Sequence, residues 1–146
     1  GIARAAIDEL VRFAQSKKRI NSTATLADRA HSHLEVARAE AALRSARAFY
    51  YQSIEAAWLV AGAGEKVSID QRRDIRLATT HAVEASIKTV DAMYTLGGGS
   101  AVYADSALQR HFRDVHMTSQ HIMVAPSTLE TVGRLYLGVE AQTATL

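Results

Sequence analysis

Between Leu26 and Ala61 the chain contains neither proline nor glycine, and apolar side chains recur in steps of three and four: Val36, Ala39, Leu43, Ala46, Tyr50, Ile54, Ala57 and Ala61. That spacing is one face of an α-helix. A second run, Leu34, Ala37, Ala41, Ala48 and Leu59, makes the helix apolar on more than one side, so it packs on several neighbours. At about 1.5 Å per residue it spans about 50 Å, a length met in bundles that oligomerise or pack on other domains. The chain has 146 residues, one proline (Pro126) and eight glycines, enough length for one core but few turn signals for a sheet. The expectation is an all-α fold, an up-down four-helix bundle with an extra C-terminal helix, forming one domain over residues 1–146.

The other segments fit that plan. Ile2 to Gln15 places Ile2, Ala6, Leu10 (or Ile7), Phe13 and Ala14 near helical spacing. Ser16 to Asp28 breaks the pattern with Asn, Ser and Thr, a loop carrying Lys17, Lys18 and Arg19. Gly62 to Ser68 stops the long helix. Ser68 and Gln71 have the spacing of a capping box, opening a helix with Val83, Ile87, Val90, Tyr94 and Gly97 on one face. A helix from about Ser106 is predicted to bury Leu108, Phe112, Val115, Ser119 and Ile122 and to stop before Pro126. A last one, Ser127 to about Ala141, is predicted to bury Leu129, Val132, Tyr136 and Val139. The start at Gly1, inside a helical pattern and without an initiator Met, reads as a piece of a longer protein.

Several functions are disfavoured by what the sequence lacks. A formal charge of +2 with interspersed signs offers no stripe for a phosphate backbone, so nucleic acid is not an expected partner. The chain has no cysteine, which rules out disulfides and thiolate chemistry and agrees with a cytoplasmic protein. The longest apolar run, Trp58 to Gly64, is far short of a bilayer span of about 20 residues, so no membrane association is expected. No metal is expected, because HExxH is absent and His111, His116 and His121 step by five around a helix. No nucleophile elbow, Walker or Rossmann fingerprint surrounds any serine or glycine.

Chemistry concentrates between Leu96 and His121, LGGGSAVYADSALQRHFRDVHMTSQH. Gly97, Gly98 and Gly99 either end one helix and turn the chain, or let backbone N–H groups approach a ligand without interference from a Cβ. Arg110 and Asp114 are spaced to pair along the next helix. His116 and His121 are candidate general acids or bases near neutral pH.

The succession GGGSAVY, LQRHFRD, QH, a proline and GRLYLG resembles the C-terminal domain of the type 2 acyl-CoA dehydrogenase family. More narrowly it resembles the branch of two-component flavin-dependent monooxygenases such as 4-hydroxyphenylacetate 3-hydroxylase oxygenase components. The resemblance implies that Arg19, with Ser22 and Thr23 near it, approaches the flavin pyrophosphate, often across a subunit boundary, and that Gly97, Gly98 and Gly99 let the chain pass the adenosine end. A guanidinium matches phosphate oxygens, and glycine permits close approach.

Two departures from the family pattern matter. Dehydrogenases of the family carry a catalytic Glu in a Glu-Gly-Thr context; here Ile122 stands there, with His121 beside it. An imidazole suits the oxygenase branch, where a His helps deprotonate a phenol or steady a flavin C4a-hydroperoxide. The usual Gln before the glycines is replaced by Tyr94. The implied function is therefore the C-terminal domain of a monooxygenase that takes reduced flavin (FAD or FMN) from a separate reductase and hydroxylates an aromatic or related small substrate. His121 is the catalytic candidate and His116 the reserve. A flavin-dependent acyl-CoA dehydrogenase and a non-catalytic helical oligomerisation module are the alternatives. The expected partners are further copies of the chain, a tetramer built as a dimer of dimers.

Overall fold

The computed structural model describes residues 1–18, 22–144 and 146. The described residues form five α-helices and no β-strand: α1 (Ile2–Ala14), α2 (Ala30–Gly62), α3 (Ile69–Gly97), α4 (Ala107–Thr118) and α5 (Thr128–Tyr136). The all-α expectation therefore holds, and the five segments are those the apolar periodicity marks out. None of these helices is long and apolar enough to cross a membrane.

Packing falls into two compact units, each drawn from distant parts of the sequence. The first comprises Gly1–Arg44 and Ala85–Met117, the second Ser45–Glu84 and Thr118–Leu146. In the first, α1 buries Ala3, Ala6, Ile7 and Leu10 against Leu26, Ala39 of α2, Val90 and Met93 of α3, and Leu108 and Val115 of α4. The side chains that α2 buries are small throughout: Ser32 and Ala39 in this unit, Ala46, Ser53 and Ala57 in the second. Small residues let helix backbones approach closely, so this inward face is set by shape more than by bulk. The second apolar run of α2 faces outward, with Leu34 55 % exposed in the first unit and Leu59 67 % exposed in the second.

The helix ends follow local hydrogen bonding. The Ser68 hydroxyl accepts the Gln71 N–H at 3.2 Å while the Gln71 side chain accepts the Ser68 N–H at 2.9 Å, the reciprocal box that the spacing predicts. Helix α2 stops in a Schellman turn: Gly64 takes a positive φ of 78° while Glu65 N–H donates to Val60 O and Gly64 N–H to Ala61 O.

Three boundaries differ from the sequence reading. Helix α2 begins at Ala30, not Leu26, because the Asp28 carboxylate accepts both the backbone N–H and the hydroxyl of Thr25 at 2.7 Å and winds Leu26–Asp28 into a separate 3₁₀ turn. Helix α4 ends at Thr118, well before Pro126; His121 N–H then bonds Thr118 O and Val124 N–H bonds His121 O, so the chain continues as successive turns. Ile122, expected inside, is 77 % exposed in those turns. Helix α5 ends at Tyr136, not near Ala141, in a second Schellman turn at Gly138, φ 68°. Beyond it Val139 is exposed, and Tyr136 is exposed as well, its ring covered on one side by the Arg73 guanidinium 4.1 Å from the centroid.

Candidate functional site

Two places carry the residues singled out from sequence. The first, in the first unit, is where the basic loop meets the glycine tract. The Lys17 ammonium donates to the carbonyl of Gly97. Partial burial, with the positive charge of Arg29 adding to it, holds the Lys17 pKa below the ordinary lysine value. An open cleft of about 400 Å³ lies alongside, lined by Arg12, Phe13, Lys17, Ser100 and Ser106 together with Glu9 and Asp105. Glu9 bonds Arg12 through both oxygens, at 2.6 and 3.2 Å, and among the described residues no carboxylate is bonded to Lys17. Ser22 and Thr23 are exposed in the same loop, the Ser22 hydroxyl accepting the Ala24 N–H at 3.2 Å. Arg19 lies outside the described residues.

The three glycines do different things. A Cβ on Gly97 would lie 2.8 Å from Leu108 Cδ1 and 3.0 Å from Ala101 Cβ, so this glycine makes room for α4. Gly98 needs its positive φ of 53°, and around both Gly98 and Gly99 the space is open. Only these two present a bare backbone to an incoming molecule. Tyr94 stacks on Phe112 with ring centroids 4.5 Å apart, and so works as packing between α3 and α4.

His116 is attached to that same packing. Its ring lies 4.6 Å from Phe112, and its Nε2 is 2.9 Å from Asp91 Oδ1, with both side chains partly exposed. Asp91 escaped the sequence reading; its position three residues before Tyr94 on α3 was the available signal. Asp114 pairs with its neighbour Arg113 at 3.7 Å and not with Arg110, contrary to the spacing argument.

The second place, in the second unit, is the turn carrying His121. The imidazole is exposed, and its Nδ1 accepts the backbone N–H of Met123 at 3.2 Å. The Met123 carbonyl in turn accepts a hydrogen bond from Arg76 of α3, a guanidinium whose residue is only 7 % exposed. A pocket of about 230 Å³ beside this turn is lined by Arg76, Ile122, Met123, Ser127, Thr128 and Thr131. Among the described residues no group of three or more His, Asp or Glu is placed to hold a metal ion.

The chain belongs to a known family of helical domains: the model for the acyl-CoA dehydrogenase C-terminal domain matches residues 1–126. The chain is 39% identical over 138 residues to an indole-3-acetate monooxygenase of Pseudomonas putida, covering 94% of this chain and 36% of the relative. It is 30% identical over 140 residues to an indole-3-acetate monooxygenase of Acinetobacter baumannii, covering 96% and 36%. Among solved structures it superposes on the HsaA monooxygenase of M. tuberculosis with a TM-score of 0.86 at 19% identity, covering 99% of this chain and 37% of that one. The 3-HSA hydroxylase of Rhodococcus sp. RHA1 gives 0.84 at 20%, covering 99% and 36%. The fold is thus that of these enzymes' helical part, and the chain spans about a third of the length of the curated relatives it matches.

Proposed function

We propose that this chain is the C-terminal helical part of a flavin-dependent monooxygenase acting on an aromatic or related small substrate, with reduced flavin delivered by a separate reductase. The observation that carries the reading is at the turn after α4. There an exposed imidazole, His121, stands beside the exposed apolar Ile122 where dehydrogenases of the family hold a carboxylate base. Without that carboxylate, removal of a proton next to a thioester carbonyl loses its base, whereas an imidazole can manage a proton at a reacting oxygen. The relatives named as monooxygenases agree with it.

Bound flavin, FAD or FMN, would supply the activation of dioxygen. The described residues that support such a site lie at one place. Gly98 and Gly99 offer open backbone, and Lys17, held next to them through Gly97, offers positive charge. Ser22, Thr23 and Arg19 belong to the same loop, the last by the family resemblance alone. Gly97 serves the packing of α4. His116, bound to Asp91, serves the α3–α4 contact better than it serves the reaction.

The test uses the complete enzyme with reduced flavin, dioxygen and indole-3-acetate as first substrate. Oxygenated product that disappears in His121→Ala is expected. Flavin reduction by an acyl-CoA, or unchanged turnover in the variant, would overturn the reading.

A second reading, a homo-oligomer built through this part, rests on α2 in the second unit. Trp58 and Leu59 are 75 % and 67 % exposed, more apolar surface than a solvated helix usually shows. Further copies of this chain, as a dimer of dimers, are the proposed cover. Sedimentation at micromolar concentration tests it, and Trp58→Glu should lower the assembled mass.

A further inference from the structure

The turn that carries His121 is held from both sides at one residue. Met123 donates its N–H to His121 Nδ1 at 3.2 Å, and its carbonyl accepts from Arg76 Nη1. Arg76 Nη2 also lies 3.9 Å from the Met123 sulfur. The turn itself is closed by His121 N–H on Thr118 O at 3.2 Å and by Val124 N–H on His121 O at 3.0 Å. Residue 123 is thereby fixed in position and orientation by a guanidinium that is itself buried on α3.

A neutral imidazole carries one proton. A backbone N–H can only donate, so the nitrogen facing it must be the bare one. The Met123 amide on Nδ1 therefore puts the His121 proton on Nε2. His121 is an exposed residue, and a group that reaches Nε2 meets an N–H and not a lone pair.

We propose that Arg76 is a positioning residue: by anchoring the Met123 carbonyl it keeps the Met123 amide on Nδ1 and presents His121 as a hydrogen-bond donor through Nε2–H. This rests on the monooxygenase reading, and it selects between the two roles available to the histidine. His121 then steadies negative charge on a reacting oxygen by donation instead of stripping a proton from the substrate. Arginine suits the task because its planar fork of donors holds direction, where the point charge of a lysine does not.

The first measurement needs neither flavin nor substrate, so it stands apart from the functional reading. Side-chain ¹⁵N NMR of the 146-residue chain above the titration of its histidines should show His121 as the Nε2–H tautomer. Arg76→Met should turn it into a mixture of tautomers, and Arg76→Lys should restore part of the preference. Arg76→Leu, which likewise has no donor, serves if the methionine variant fails to fold. An Nδ1–H tautomer in the unmodified chain, or an unchanged tautomer in folded Arg76→Met or Arg76→Leu, overturns the proposal. In the complete enzyme folded Arg76→Met should lose about tenfold in kcat with KM unchanged, less than the roughly 10²–10³ lost when a charge-stabilising donor is removed outright, because the imidazole is misdirected and not absent. A loss confined to KM would also overturn it.

Discussion

Thr80 on α3 donates its hydroxyl proton to Thr128 at the start of α5, 2.8 Å away. The direction is fixed, because the single proton of Thr128 goes to the Ala125 carbonyl at 2.8 Å. Thr80 is fully buried, so the two substitutions are unequal. Thr128→Val strands a buried donor and should cost about 1–3 kcal/mol, whereas Thr80→Val removes one neutral bond and should cost about 1 kcal/mol. Denaturant unfolding of both variants gives the order; equal losses would contradict the assigned direction.

Thr89 and Ser32 present the opposite case. Their hydroxyls are buried without a hydrogen-bond partner. Thr89→Val keeps the shape and removes the unmatched polar atom, so stability should rise by about 1 kcal/mol. A fall in the unfolding midpoint would mean that the hydroxyl has a partner in solution.

The glycines should separate into three classes. Gly97→Ala gains about 1 kcal/mol of helix propensity but forces a Cβ onto fully buried Leu108, at a cost of about 1–3 kcal/mol, so it should destabilise overall. Gly98→Ala should cost about 1 kcal/mol through its positive φ. Gly99→Ala should leave stability unchanged and yet weaken flavin binding in the complete enzyme. Thermal melts beside a flavin titration distinguish the classes, and tight flavin binding by Gly99→Ala would remove that glycine from the cofactor path.

Asp28 gives the chain a pH-dependent element. Hydrogen bonds from the Thr25 hydroxyl and amide hold its carboxyl below the ordinary aspartate value. A depressed folded-state pKa contributes stability above the unfolded value of about 3.9, and that contribution disappears as pH falls through the folded one. Asp28→Asn should therefore be less stable than the natural chain at neutral pH, with the gap closing in acid. Melting curves across that range test it; a gap that widens in acid would reverse the assignment.

How much could be read from the sequence depended on how local each signal was. The helices of α2 and α3 were legible because their periodicity is long, and the Ser68–Gln71 box because it is complete within four residues. One boundary failed where a side chain competed for backbone donors, Asp28 ahead of α2, and another where backbone turns from His121 N–H to Thr118 O replace the last turns of α4. The residues of the candidate site stand out by type and not by connection. His121 and the glycines stand out in the sequence, but Arg76 lies far from Met123 along the chain and Lys17 far from Gly97. Only the packing of helices on one another brings those pairs together, and no spacing rule encodes it.

Because α4 stops at Thr118, the direction of His121 owes nothing to helical phase. Residues 119–124 behave as a cassette spliced between two helices, free to vary in sequence without rotating either one. A lineage that needed a carboxylate, an imidazole or an apolar group at this point could exchange it by rewriting the cassette and its guanidinium tether, leaving the bundle intact. Chemistry at the turn could thus change while the helices on either side keep their places.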